Sequence, residues 1–288
     1  MTSNISDVTV IVTGTGYRSL SQDTAPIGNV FKHPRVKANI GAWVAKELVE
    51  QGFEVLIVSR TVSKLQTLTN SIRIEHPNNR IDYCAVDLLD SKAVAEMVEN
   101  IQRGKLIYLV HCAGLSAGSY KLPNDNPYLR VEETPIDLPC LEFDVIVKSL
   151  LILVQALLPR FELQEESRIV VISSMSGVRA VPLGYSHSAA KAGLHNAVRS
   201  LALELNKRRI YVSEVLPGMV NTGIYDPPAV QMAIAEMGKY FGYDYKDSGL
   251  PQMPPKDVAD AVKLCLTSEA HILSINLVAK GQWPNLSS

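Results

Sequence analysis

Short apolar runs alternate with stretches of helical period along nearly the whole chain, and this alternation restricts the fold more than any single residue does. Val8–Val12, Glu54–Val58, Ile81–Val86, Leu106–Cys112, Arg168–Ser173, Ile210–Leu216 and Ile272–Val278 read as strands. Between them, Ile40–Gln51, Ser63–His76, Ser91–Arg103, Leu141–Glu165, Ser188–Lys207 and Pro255–Thr267 read as helices. Gly52 and Pro77 supply stops, and Pro159 is expected to bend the longest helix. Continuously apolar strands separated by helices specify a parallel sheet covered on both faces. The 288 residues are expected to form one domain over 1–288.

Three segments break the rhythm: Tyr17–Lys37, Leu115–Pro139 and Gly218–Pro254. Long irregular segments in a compact domain are usually functional loops, and an open parallel sheet binds ligands beyond the carboxyl ends of its strands. All three are therefore expected on one rim, with a small-molecule substrate. A net charge of −1 with 20% charged residues gives no electrostatic footprint for nucleic acid or an anionic membrane. The apolar run Val145–Leu158 is interrupted by Lys148 and Gln155 and is too short to span a bilayer. Met1–Asp7 carries no basic-then-apolar signal, and Cys84, Cys112, Cys140 and Cys265 lack metal-ligand spacing. Buried free thiols in a cytoplasmic protein without a metal are the expectation.

After the first strand comes Thr13-Gly14-Thr15-Gly16, and the next helix opens with Ala38-Asn39-Ile40-Gly41. Glycines let a backbone approach a pyrophosphate, and a helix N-terminus offers N–H donors and a positive dipole. Joined, the two pieces resemble the Thr-Gly-x-x-x-Gly-x-Gly turn of the short-chain dehydrogenase/reductase family, split by an insertion at residues 17–37. Asn39 stands at the middle glycine and is expected to tolerate a positive φ there. The insertion carries Arg18, Lys32, His33, Arg35 and Lys37 against Asp23, as a cover for cofactor phosphates or as a solvated flap.

The resemblance extends to about Gln282 and implies a Rossmann-type α/β fold, a doubly wound seven-stranded parallel sheet with helices on both faces. The second strand ends Val58-Ser59-Arg60, where readers of NAD place a carboxylate. Arg60, with Lys64 one turn on, suits the 2′-phosphate of NADP(H). Asp87 and Leu88 are then expected at the adenine, and Ala113-Gly114 matches the family's Asn-Asn-Ala-Gly element, with His111 in a packing role. Pro217-Gly218-Met219-Val220-Asn221-Thr222 resembles the Pro-Gly-x-x-x-Thr element, which puts Thr222 on the nicotinamide carboxamide. The cofactor set implied is Thr13, Gly14, Gly16, Asn39, Ile40, Gly41, Ser59, Arg60, Asp87, Leu88, Ala113, Gly114, Lys191, Pro217, Gly218, Val220 and Thr222.

For catalysis, Ser174 matches the family's serine, and Lys191 in Ser188-Ala189-Ala190-Lys191 matches the lysine of Tyr-x-x-x-Lys. The tyrosine position falls on His187, thirteen residues after Ser174 as the family requires, and Tyr185 lies two residues early. Imidazole beside an ammonium is a competent base and a poor acid, which favours alcohol oxidation or proton abstraction. Three readings stay open: His187 acts, Tyr185 swings in, or redox activity is lost. Ile146 replaces the asparagine of the family's Asp-Val-Asn-Leu-x-Gly, which puts the relay water held at a helix irregularity in question. A lid over 218–254 would offer Tyr225, Met232, Met237, Tyr240, Phe241 and Tyr243 to an apolar substrate. The expected activity is NADP(H)-dependent interconversion of an alcohol and a carbonyl on a small organic or acyl substrate. A dehydratase or isomerase using His187 as base, or a silent NADP(H)-binding protein, are the alternatives. A homodimer or homotetramer through the two long helices is implied by the resemblance.

Overall fold

The computed structural model describes residues 5–20, 27–102, 106–115, 126, 128–240, 242 and 249–282. From the amino end, β1 (Val8–Thr13) leads to two short strands, β2 (Tyr17–Ser19) and β3 (Val36–Ala38). Then follow α1 (Ile40–Glu50), β4 (Glu54–Ser59), α2 (Val62–Glu75), β5 (Ile81–Ala85), α3 (Ser91–Asn100) and β6 (Leu106–His111). The second half runs through α4 (Leu138–Phe143), a π-helical turn at Asp144–Lys148, α5 (Ser149–Phe161), β7 (Ser167–Ile172) and α6 (Tyr185–Leu205). It ends with β8 (Ile210–Pro217), α7 (Pro228–Tyr240), α8 (Pro255–Thr267) and β9 (Ser274–Leu277).

Seven strands pair in the order β5-β4-β1-β6-β7-β8-β9, every pairing parallel. Successive side chains of a strand point to opposite faces. Val8, Val10 and Val12 accordingly pack with Ala42, Leu48, Val258 and Val262 of α1 and α8. Ile11 points the other way, towards Val94, Leu150 and Val198 of α3, α5 and α6. Each such buried aliphatic side chain stabilises the fold by about 1.5–3 kcal/mol, which holds the seven strands between two helical layers. The chain leaves β1 on one side for β4 and returns on the other as β6, so Thr13 has Val58 and His111 as its two neighbours. A crevice opens at this switch point beyond the strands' carboxyl ends.

The described residues of the insertion are structured. Tyr17 pairs with Ala38, and Ser19 with Val36, in an antiparallel ladder. Its returning limb packs on α1 and α2: Val30 is buried with its N–H on Ser71 Oγ (3.1 Å), and Phe31 meets Trp43 edge-on at 5.1 Å. Glu75 gathers Lys32 (3.0 Å), Lys46 (3.1 Å) and Asn29 (2.9 Å). Burial raises the Glu75 carboxyl, and these three hydrogen bonds outweigh it and bring it down to about 2. That contribution is complete above the unfolded value near pH 4.5 and is lost as the pH falls towards 2. Glu75→Gln is expected to cost about 2–3 kcal/mol at neutral pH, read by urea unfolding, with faster proteolysis across the insertion.

Several expected boundaries move. The long helix of Leu141–Glu165 is two helices, α4 and α5, because the π turn at Asp144–Lys148 interrupts it; Pro159 lies inside an unbroken α5. The carboxyl-terminal helix of that pair stops at Phe161, and α3 stops at Asn100 rather than Arg103. The start of α6 is Tyr185 rather than Ser188, because the Ser188 N–H already donates to Gly184 O (2.9 Å). Segment 218–254 contains α7, whose Val230, Ile234 and Met237 pack on Met219. Only Cys265 of the four cysteines is buried, and Cys140 is exposed. Among the described residues no helix is long and apolar enough to cross a membrane, and no His/Cys/Asp/Glu group could hold a metal ion. Asp23, Phe241 and Tyr243 lie outside the described residues.

Candidate active site

A cleft of about 840 Å³ opens over the carboxyl ends of β1, β4 and β6. Gly14, Gly16, Asn39, Ile40 and Gly41 form its floor, with Ser59, Arg60, Asp87, Leu88, Ala113, Gly114 and Thr222 around it. Asn39 closes the split loop. Its Oδ1 accepts from Gly16 N (3.1 Å) and Ala42 N (2.9 Å), and its Nδ2 donates to Gly14 O (2.8 Å). With φ −80° it is an N-cap in extended geometry, so its value here is hydrogen bonding rather than the positive φ expected of it. That conformation falls to Gly14, at φ +69°. A Cβ on Gly41 would stand 2.9 Å from Gly14 O, so the turn and α1 touch backbone to backbone. The first-turn N–H groups of a helix have no intrahelical acceptor; in α1 that of Ala42 is capped by Asn39, and those of Ile40 and Gly41 are left on the floor. Thr15 Oγ1 is buried there without a partner among the described residues. An orphan hydroxyl, unpaired helix donors and a cradle closed to side chains fit a dinucleotide diphosphate.

At the far end of the cleft the charge is positive. Arg18, Arg60 and Lys64 line it with Ser59, and Asp87 is the one carboxylate among its described lining residues. Lys64 Nζ reaches Tyr17 O at 3.4 Å and stands 5.7 Å from the Tyr17 ring centroid, so β2 of the insertion supplies part of this wall. Lys37 ties the other edge of the insertion to the segment after β8, through Asn221 (2.7 Å) and Asp226 (2.9 Å). Asp87 Oδ1 accepts from Leu89 N (3.0 Å), which shapes the turn after β5.

A second set of groups converges where α4 meets the first turn of α6. Lys191 is buried and donates to Ile172 O (2.9 Å) at the end of β7. Burial pulls its ammonium down to about 8, against the opposing influence of Cys112 and Glu142. Ser174 Oγ accepts from Ser176 N (3.1 Å) and lies 2.8 Å from Ser176 Oγ. His187 is half-exposed, with Nδ1 3.5 Å from Glu142 Oε1, and Ser186 Oγ donates to the other carboxylate oxygen. Tyr185 shares the first helical turn with His187; two residues of α-helix turn the side chain through about 200°, and Tyr185 is exposed. The described structure brings together Lys191, His187, Glu142 and Ser186, and leaves Tyr185 outward.

The π turn persists although Ile146, fully buried, stands at its centre. Ser149 Oγ donates to Val145 O (2.6 Å) and is 3.3 Å from His111 Nε2. Since that hydroxyl proton is committed, Nε2 is the donor and Nδ1 accepts from Thr13 Oγ1 (3.0 Å). Burial first, and then the Lys191 charge, lower the His111 imidazole to about 3, so it is neutral. Thr13 thus faces the core network rather than the cleft.

Of the Pro217–Thr222 element, only Thr222 is among the cleft-lining residues. Gly218 rests against the Gln282 amide, whose Oε1 accepts from Met219 N (3.0 Å), and Val220 bridges Met253. In the lid, Met237 is core, Met232 and Tyr240 are exposed, and Tyr225 meets the hydroxyl of Tyr128. Sequence reasoning missed Tyr17 as a lining residue, and Glu142, Ser186 and Tyr128 as neighbours of the catalytic set; Arg18, offered as a phosphate cover, lines the cleft. Glu142 had one readable signal: it lies a helical turn before Ile146, on the same helix face.

Residues 36–229 match the family model described as short chain dehydrogenase; the match starts just inside the end of the insertion. An uncharacterized oxidoreductase of Staphylococcus aureus (strain MW2) is 26% identical over 237 residues, which cover 82% of this chain and 89% of that protein. The NADPH-bound short chain oxidoreductase of Pseudomonas aeruginosa PAO1, described as containing an atypical catalytic center, is similar with a TM-score of 0.73 at 22% identity. That likeness covers 99% of this chain and 98% of the other. The alcohol dehydrogenase of the archaeon Thermococcus sibiricus, complexed with 5-hydroxy-NADP, gives 0.70 at 18% identity over 96% of this chain and 98% of its own. At these identities the two structures share the fold.

Proposed function

The chain belongs to the short-chain dehydrogenase family, and from that premise we propose that it is an NADP(H)-dependent oxidoreductase interconverting an alcohol and a carbonyl on a small organic or acyl substrate. The observation that carries the cofactor choice is the end of the cleft beyond β4. Ser59 leaves no carboxylate there to repel a phosphate, and Arg18, Arg60 and Lys64 surround it. Two structural neighbours hold NADPH or an NADP derivative, which supports the same choice.

In this reading the diphosphate rests on Gly14, Gly16, Asn39, Ile40 and Gly41, with Asp87 and Leu88 at the adenine. Ala113 and Gly114 flank the ribose, and Thr222 meets the carboxamide. Pro217, paired with Leu277, and Gly218 and Val220, set against Gln282 and Met253, hold Thr222 in place. The bound nicotinamide supplies or accepts the hydride. Ser174 Oγ donates to the substrate oxygen, His187 takes or gives the proton at that oxygen, and Lys191 holds the ribose hydroxyls. The apolar substrate wall comes from Val181, Leu183 and Met219 beside Tyr128 and Tyr225. We extend the reading to a homodimer or homotetramer through α4–α5 and α6, where Phe143 and Leu203 are exposed; light scattering tests it.

Two measurements test the function. In a fluorescence titration the protein is expected to bind NADPH more tightly than NADH. Arg60→Glu is expected to weaken NADPH about 10–100-fold, as for a lost charge-assisted hydrogen bond, with NADH changed little. Equal affinity for both cofactors in the parent protein rejects the NADP(H) assignment. With a panel of ketones and alcohols, His187→Ala is expected to lower kcat about 10²–10⁴-fold at unchanged NADPH affinity. Turnover that survives in His187→Ala and disappears in Tyr185→Phe transfers the proton-moving role to Tyr185.

A further inference from the structure

Glu142 is a carboxylate buried to 6% exposure, and among the described residues no lysine or arginine nitrogen lies within ion-pair distance of it. Burying an unpaired charge costs several kcal/mol, so its partners here are informative. Ser186 Oγ occupies one oxygen, and the other faces His187 Nδ1 at 3.5 Å. Both partners lie in the first turn of α6, so the carboxylate grips the turn that carries the imidazole. Catalytic hydrogen bonds are often long before ligand arrives and tighten in the complex. The remaining charged or titratable neighbours are Lys191 on the same helix and Tyr128 beside Glu142.

We infer that Glu142 is a positioning residue for His187, its carboxylate fixed by Ser186 and directed at Nδ1, so that Nε2 becomes the atom that exchanges the substrate's proton. The inference rests on the proposed role of His187 and deepens it. A carboxylate at Nδ1 selects the Nδ1–H tautomer and orients the ring. It also places a carboxylate beside the ring that carries the proton. In the reducing direction the ring, holding a proton on each nitrogen, would give the one on Nε2 to the substrate oxygen and keep the one on Nδ1 towards Glu142, the hydride being what a bound nicotinamide would supply.

The test uses the full chain labelled with ¹⁵N-histidine, the His187 signals being identified by their loss in His187→Gln. Without substrate, His187 is expected chiefly as the Nδ1–H tautomer. Glu142→Leu is expected to move it to the Nε2–H form that water favours. In turnover, Glu142→Leu is expected to lose about 100-fold in kcat with KM within threefold, and Glu142→Asp to recover part of that loss. The double variant Glu142→Leu/His187→Gln is expected to be no slower than His187→Gln alone, because residues acting as a unit are not additive. Should leucine prevent folding, Glu142→Gln, of the same size, carries the kinetic comparison. A parent His187 in the Nε2–H form, or losses that multiply in the double variant, overturns the inference. If no carbonyl substrate is turned over, the proposed function fails while the tautomer measurement still decides the Glu142–His187 contact.

Discussion

Gly14→Ala is expected to lose about 3–5 kcal/mol of stability and to bind NADPH at least about 100-fold more weakly, while Gly16→Ala keeps its fold. The two glycines look alike in Thr13-Gly14-Thr15-Gly16 and differ in what surrounds them. Gly14 has φ +69°, a region costing a side chain about 1–3 kcal/mol. An added Cβ there would stand 2.5 Å from Cys112 O and 2.6 Å from Ala113 N, both backbone atoms at the end of β6. Neither side can yield easily: Gly14 N donates to Val58 O (3.0 Å), and Gly14 O accepts from Asn39 Nδ2 (2.8 Å). Any shift therefore moves the floor of the cleft. At Gly16 the nearest atom to an added Cβ is Asn39 Nδ2 at 3.8 Å, ordinary contact. Thermal melts with and without NADPH check both; equal stability of the two variants would show that the close approach at Cys112 carries no cost.

The five inner strands were legible because burial on both faces selects continuous apolar runs, while the edge strands β5 and β9 carry exposed residues. The split loop was legible because its two halves keep their residue types and order, and the structure joins them through Asn39. How Asn39 does so was not legible: the motif suggests a backbone conformation, and only the folded loop shows a side chain bonding both halves. The insertion gave no signal because its two described strands are three residues each and pair over a long sequence separation. Short elements held by tertiary contacts override local propensity, and Val30 and Glu75 supply those contacts. The start of α6 was misplaced because Gly184-Tyr185-Ser186-His187 has no apolar period; Ser186 is buried for a hydrogen bond, not for packing. That displacement hid Glu142, since only a helical first turn brings Ser186 and His187 to one carboxylate.

Acid destabilisation is the second large effect expected, and it is carried by His111. Folded, this imidazole sits near 3 against about 6.5 when free. A base with a depressed folded value binds fewer protons folded than unfolded. Its stabilising contribution is therefore complete above pH 6.5 and drains away as the pH falls towards 3. The loss through His111 is about 2 kcal/mol at pH 5 and about 4 by pH 3. Protonation must break a specific network, because Nδ1 would have to surrender the hydrogen bond it accepts from Thr13 while Nε2 keeps its donation towards Ser149. Both partners border the site: Thr13 precedes the glycine loop, and Ser149 follows the π turn and lines the cleft. Glu75 begins to weaken only below about pH 4.5, so its contribution is intact between pH 6.5 and 5. Urea unfolding of the parent and of His111→Asn across that window is expected to give a steep curve for the parent and a flatter one for the variant, groups common to both cancelling. Asparagine keeps a donor and an acceptor without a titrating proton, so parallel curves would mean that His111 accepts a proton in the folded state as readily as in the unfolded chain.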